Sequence, residues 1–176
     1  MRRPLGDRRA ARLTASREAL ALASVAVALL ASGCGTSGPV PAGSGHPAGP
    51  KVMIMARALP GVGRVLVNAT GYALYMFAPD GRRQVTCTGA CAGTWPPVRL
   101  PSGAVLAVGP GVKPSLLGSD PDPGGGRVVT YDGWPLYTYS GDVQPGQATG
   151  QAIDLNGGPW YVLRPSGAPL LPSPQS

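Results

Sequence analysis

The chain has 176 residues and a formal net charge of +7. That length suits one domain. Six of its arginines and two of its acids fall within the first 33 residues; the remainder keeps nine basic and six acidic residues. These are scattered, with no basic stripe among aromatics, which argues against a nucleic-acid partner.

The first 33 residues have the three parts of an export signal. Arg2, Arg3, Arg8, Arg9, Arg12 and Arg17 form a basic start, residues 19–30 are an apolar run, and Ala31-Ser32-Gly33 supplies small residues for a peptidase. At ~1.5 Å per helical residue the run is too short to cross ~30 Å of hydrocarbon comfortably, which favours a signal over a permanent span. Leu30-Ala31-Ser32-Gly33-Cys34 resembles the bacterial lipobox, which implies lipid on Cys34 and a membrane-anchored, extracytoplasmic protein; Ala31 stands where Leu is more usual. Arg8-Arg9 leaves Sec and twin-arginine export both open. Cysteine parity agrees with lipidation, because Cys87 and Cys91 then remain as an even pair in an oxidising compartment.

Residues 34–50 are mostly Gly, Pro, Ser and Ala and read as a flexible tether. As a coil it has an end-to-end distance of roughly 20 Å. The only histidine, His46, lies in it and reads as a linker residue, so no Ser/His/Asp set can form in the domain that follows.

The folded domain is expected over residues 51–165. Val52-Met53-Ile54-Met55 and Val65-Leu66-Val67 read as strands separated by a Pro60-Gly61 turn; Tyr72 to Phe77 follows as a third. Asp132-Gly133 between Val128-Val129-Thr130-Tyr131 and Trp134 to Tyr139 is a preferred two-residue hairpin signal. No window in the domain sustains helical periodicity free of Gly and Pro; Ser115-Leu116-Leu117 could form one helical turn. The expected fold class is therefore all-β, a small domain of antiparallel hairpins. Residues 166–176 are Pro- and Ser-rich and read as a disordered tail.

An internal repeat organises the domain. Gly-x-x-Leu-Tyr-x-aromatic-x-x-Asp occurs as Gly71, Leu74, Tyr75, Phe77 and Asp80, and again sixty-two residues later as Gly133, Leu136, Tyr137, Tyr139 and Asp142. The two pseudo-repeats span about 62–100 and 126–164. Strand alternation puts Tyr75 and Phe77 on one face and Leu74 and Met76 on the other. Neither repeat can bury its aromatic face alone, so they are expected to pack together.

Cys87 and Cys91 would be roughly 13 Å apart on an extended strand, so a disulfide needs a turn at Gly89. A structural bond and a redox-active pair both remain possible, although the spacing is not Cys-x-x-Cys. Asp80 and Asp142 read as turn aspartates that accept backbone N–H bonds, with catalysis or calcium as the alternative. Asp120 and Asp122 look like solvated loop. The aromatic residues, Trp95, Trp134 and Trp160 among them, form either a β core or a platform for a peptide or glycan. Trp95 and Trp160 hold comparable late positions in the repeats, which suggests a shared packing role. Met53 and Met55 with the two cysteines could offer soft ligands to Cu(I), but alternate residues on a strand usually face one core. No metal and no cofactor is expected.

Together these features resemble the bacterial secreted-repeat lipoproteins of unknown function, a family named for its Tyr-x-(Phe/Trp/Tyr)-x-x-Asp motif. The matching residues are Tyr75, Phe77 and Asp80, then Tyr137, Tyr139 and Asp142, with Cys-x-x-x-Cys before Trp95-Pro96-Pro97 and a late Gly157-Gly158-Pro159-Trp160-Tyr161-Val162. The resemblance implies a cell-envelope lipoprotein and no established reaction. The expectation is a non-enzymatic module anchored in the membrane through its N-terminal lipid, with an envelope protein, peptide or glycan as partner. A redox accessory using Cys87 and Cys91 is the alternative, and an enzyme using Asp80 and Asp142 the third possibility.

Overall fold

A computed structural model describes residues 49–173. The expected signal, Cys34, most of the expected tether with His46, and the last three residues lie outside the described residues. Among the described residues no helix is long and apolar enough to cross a membrane.

Nine strands and one short helix make up the domain: β1 (Lys51–Leu59), β2 (Gly63–Asn68), β3 (Tyr75–Phe77), α1 (Ala90–Thr94), β4 (Arg99–Leu100), β5 (Val105–Val108), β6 (Leu117–Pro121), β7 (Arg127–Tyr131), β8 (Trp134–Pro135) and β9 (Trp160–Val162). The architecture is all-β, as the turn density predicts. β1 and β2 form an antiparallel hairpin around Pro60-Gly61, where Gly61 adopts the positive φ that a side chain resists. Asp132 and Gly133, both at positive φ, close the β7–β8 hairpin as a two-residue turn. Pro114–Leu116 forms a single 3₁₀ turn, close to the helical turn expected at Ser115.

Three features depart from the sequence-based expectation. β5 pairs with β1 in parallel, because the connector between the repeats returns along the first strand instead of forming another hairpin. α1 is a helix that periodicity does not reveal; it is five residues long and starts after Gly89, at φ 58°. The tail does not begin at 166. Residues 164–170 fold back on β9, where Leu170 N–H donates to the Val162 carbonyl at 2.9 Å and Arg164 N–H to Ala168 at 2.9 Å. Main-chain bonds, which composition does not report, fix this segment.

The repeats are intertwined. β9, from the end of the second repeat, pairs with β3 of the first, in register Tyr75 with Val162 and Phe77 with Trp160. Reciprocally, residues 96–98 of the first repeat run beside the second motif: Thr138 N–H donates to Pro96 at 2.9 Å and Val98 N–H to Leu136 at 2.8 Å. At the centre Tyr75 and Tyr137 exchange both main-chain bonds, at 2.9 and 3.0 Å. The motif strands thus meet about a pseudo-two-fold axis, and each is flanked by the other repeat's last strand.

Alternation sorts the side chains into two cores. Tyr75, Phe77, Trp95, Tyr137 and Trp160 lie in one, with Leu59, Val65, Val67 and Cys87. Leu74, Met76, Leu136, Val129, Tyr131 and Leu163 fill the other. Each large side chain buried in this way contributes on the order of 2 kcal/mol.

Candidate functional site

The polar groups of the motif bind across the repeats. Tyr75 Oη donates to Asp142 Oδ2 at 2.7 Å, and Tyr137 Oη donates to Asp80 Oδ2 at 2.5 Å. Each aspartate uses its other oxygen alike. Asp80 Oδ1 accepts from Thr86 N–H at 2.7 Å and Thr86 Oγ1 at 2.6 Å; Asp142 Oδ1 accepts from Thr149 N–H and Oγ1 at the same distances. Gly150 N–H also donates to Tyr75 Oη, at 3.2 Å. All four motif side chains are buried. Burial pushes both phenols well above the usual tyrosine range, and the hydrogen-bonded carboxylate adds to the shift.

The sequence reading of Asp80 and Asp142 as turn aspartates is therefore half right. Each does accept a backbone N–H, but both are buried and each anchors the other repeat's tyrosine. Thr86 and Thr149 escaped it; the faint signal is a threonine six residues after one motif aspartate and seven after the other.

The rings below this lock form a four-member stack. Phe77 lies on Trp160 (centroids 4.2 Å apart), Trp160 on Trp95 (3.9 Å, 3° between planes) and Trp95 on Tyr139 (4.2 Å). Tyr75 meets Trp95 edge-on at 5.3 Å, and Tyr137 meets Trp160 edge-on at 5.2 Å, which repeats the same two-fold relation. Trp95 and Trp160 have no exposed surface. A ligand platform is thereby corrected for both: they pack on each other, as their matching positions suggest. Trp134 is half-buried, with the Arg82 guanidinium 5.6 Å from its ring.

The remaining motif residues set up this centre. Leu74 and Leu136 anchor the motif strands in the second core. Gly71, at φ 92°, admits Arg57 and Pro145, where a Cβ would meet Arg57 Nη1 at 2.8 Å; Gly133, at φ 79°, lies under Arg82. Cys87 and Cys91 are disulfide-bonded with their Cα atoms 5.2 Å apart, the bond being closed by the turn at Gly89 and α1. Trp95 N–H donates to the Cys91 carbonyl at 2.8 Å, so the staple leads directly into the stack.

A cleft of about 440 Å³ lies on the second half, between β6, the β7–β8 turn and the loop after Asp80. Arg82, Arg83, Ser115, Asp120, Thr130 and Asp132 supply its polar lining. Arg82 Nη1 is held by Asp132 Oδ2 at 2.8 Å and by the Asp132 carbonyl at 2.6 Å. Asp122, read as solvated loop, is instead buried and ion-paired with Arg99 at 2.8 Å. Among the described residues no group of three or more His, Cys, Asp or Glu side chains could hold a metal.

With this geometry in place, residues 58–99 and 120–164 each match the family model of a secreted repeat of unknown function. The chain carries this family's repeat twice. The matched segments are the two halves that the lock joins, and the family places the protein outside the cytoplasm. No curated protein and no solved structure matches it. In this chain the motif tyrosine of each copy thus serves the aspartate of the other, and of the motif residues only Gly133 lines the Arg82 cleft.

Proposed function

We propose that the protein is a non-enzymatic binding module of the cell envelope, tethered to the outer face of the membrane by lipid on Cys34. One observation carries this reading: the motif's ionisable groups are consumed pairwise inside the core. Asp80 and Asp142 each have both carboxylate oxygens hydrogen-bonded. Groups so occupied hold a fold together; a general acid or base needs access to a reacting atom. Binding then belongs to the concave polar surface, the cleft beside Arg82, since Trp95 and Trp160, two members of the platform alternative, are buried in the core.

Two variants test the reading in the native membrane. Cys34→Ser should release the protein from the membrane fraction. Arg83→Ala/Asp120→Ala, with an unchanged melting temperature, should lose the envelope component that wild type retains after cross-linking. Unchanged retention by the double variant contradicts the binding role of the cleft.

The redox alternative draws on the half-buried Cys91 beside the stack. It requires a disulfide potential well above the roughly −300 mV below which structural bonds tend to lie. A thiol–disulfide titration decides between the two.

A further inference from the structure

The two halves differ along one strand edge. By the repeat relation, Ala56 on β1 pairs with Leu66 as Ser119 on β6 pairs with Val129, so β6 is the counterpart of β1. In the first half the outer edge of β1 is covered. Gly109 N–H donates to the Ile54 carbonyl at 2.8 Å, and Ala56 N–H donates to Pro110 at 3.0 Å, beyond the parallel pairing with β5.

The matching groups on β6 are the Leu117 carbonyl and the Ser119 N–H. Asp132 N–H bonds to the Leu116 carbonyl, so antiparallel alternation turns the main-chain groups of Leu117 and Ser119 away from β7. Among the described residues no strand pairs with this edge. The Arg127 side chain takes the Ser119 carbonyl, which leaves one acceptor and one donor two residues apart. Both residues line the cleft. Gly118 stands where β1 has Met55, so the strand between those two groups presents no side chain to fill the space.

The cleft also has two charges without partners. Arg82 is neutralised by Asp132, but among the described residues neither the Arg83 guanidinium nor the Asp120 carboxylate makes an ion pair or a side-chain hydrogen bond. One cation and one anion in the same cleft complement a ligand that carries both charges. Two open main-chain groups on a strand edge complement an extended backbone.

We propose that this cleft binds a short zwitterionic peptide, added to β6 as an extra strand, with its carboxylate on Arg83 and its ammonium on Asp120. A tripeptide spans roughly 10 Å when extended. That length covers two edge groups two residues apart in a cleft that Arg83 and Asp120 also line. The inference rests on the binding role proposed above and names its ligand.

The test is calorimetric titration of the mature lipoprotein in detergent micelles with five peptides, Ala-X-Ala, where X is Ala, Leu, Tyr, Lys or Glu. At least one should bind saturably, and N-acetylation or C-terminal amidation of that peptide should each weaken it tenfold or more. Arg83→Gln should abolish the discrimination against the amide alone, and Asp120→Asn the discrimination against the acetylated form alone, at unchanged melting temperature. Binding that ignores both blocking groups, or no saturable heat from any of the five, overturns the peptide proposal. Chitotriose, a neutral trisaccharide, is titrated in parallel. Saturable binding by the sugar alone overturns the peptide assignment and leaves the binding role standing, a role that the retention experiment decides separately.

Discussion

Each motif tyrosine places a buried phenol against a buried carboxylate, and the consequence is a stability that depends on pH in one direction. The usual tyrosine value is about 10, and it applies to the unfolded chain. Tyr75 and Tyr137 are held above it by burial and by their aspartates, so the folded protein keeps both protons where the unfolded chain releases them. The contribution is complete below pH 10 and is lost as pH rises further. Two such groups give a limiting slope of about 2.7 kcal/mol per pH unit. Urea midpoints measured from pH 8 to 12 should be flat at first and then fall, and Tyr75→Phe should halve the fall. A midpoint insensitive to pH above 10 contradicts the geometry. Much at this scale was legible: period-two alternation sorts Tyr75 and Phe77 from Leu74 and Met76 on sequence alone. The partner of each tyrosine was not legible, because a hydrogen bond across 67 residues depends on the path of the chain between its ends.

Among the elements, α1 shows how a covalent bond overrides weak local preference. Ala90–Thr94 has little to hold it as a helix, being a single turn with a glycine near its end. The disulfide brings its ends of the loop together, and Trp95 then enters the stack from the last turn. A loop this small gives about 2 kcal/mol on the chain-entropy estimate. Cys87→Ser/Cys91→Ser should therefore lower stability by about 2 kcal/mol in urea unfolding and preserve the fold, because the second repeat places Trp160 in the stack without cysteines. At the corresponding place that repeat has Gly150, where a Cβ would lie 2.6 Å from the Trp95 ring. Gly150→Ala should consequently destabilise the protein more than its exposed neighbour Thr149→Ser does, as read by the melting temperature. The cleft was hidden from the sequence for an opposite reason: it exists because a strand present beside β1 is missing beside β6, and pairing partners are not written in a strand's own residues.

For the whole molecule, exchange of last strands means that neither repeat is a folding unit. A chain ending after residue 125 keeps β1 to β6 but loses β9 from beside β3, Tyr137 from Asp80 and Trp160 from Trp95. It should show no cooperative thermal transition, and mixing it with the complementary second half should restore one. An independently folded first half contradicts the intertwined arrangement. Repeat periodicity alone was enough to foresee two halves packed on each other; the interlocking was beyond it, since a repeat that pairs within itself and one that pairs with its neighbour have the same sequence period. The most direct test is a set of double-mutant cycles on the motif, using Tyr→Phe and Asp→Asn. Coupling of about 1.5 kcal/mol or more is expected for Tyr75 with Asp142 and for Tyr137 with Asp80, the usual range for hydrogen bonds to charged groups. Near-zero coupling is expected for Tyr75 with Asp80, inside one motif. Strong coupling within a motif and none across the repeats would contradict the reciprocal lock.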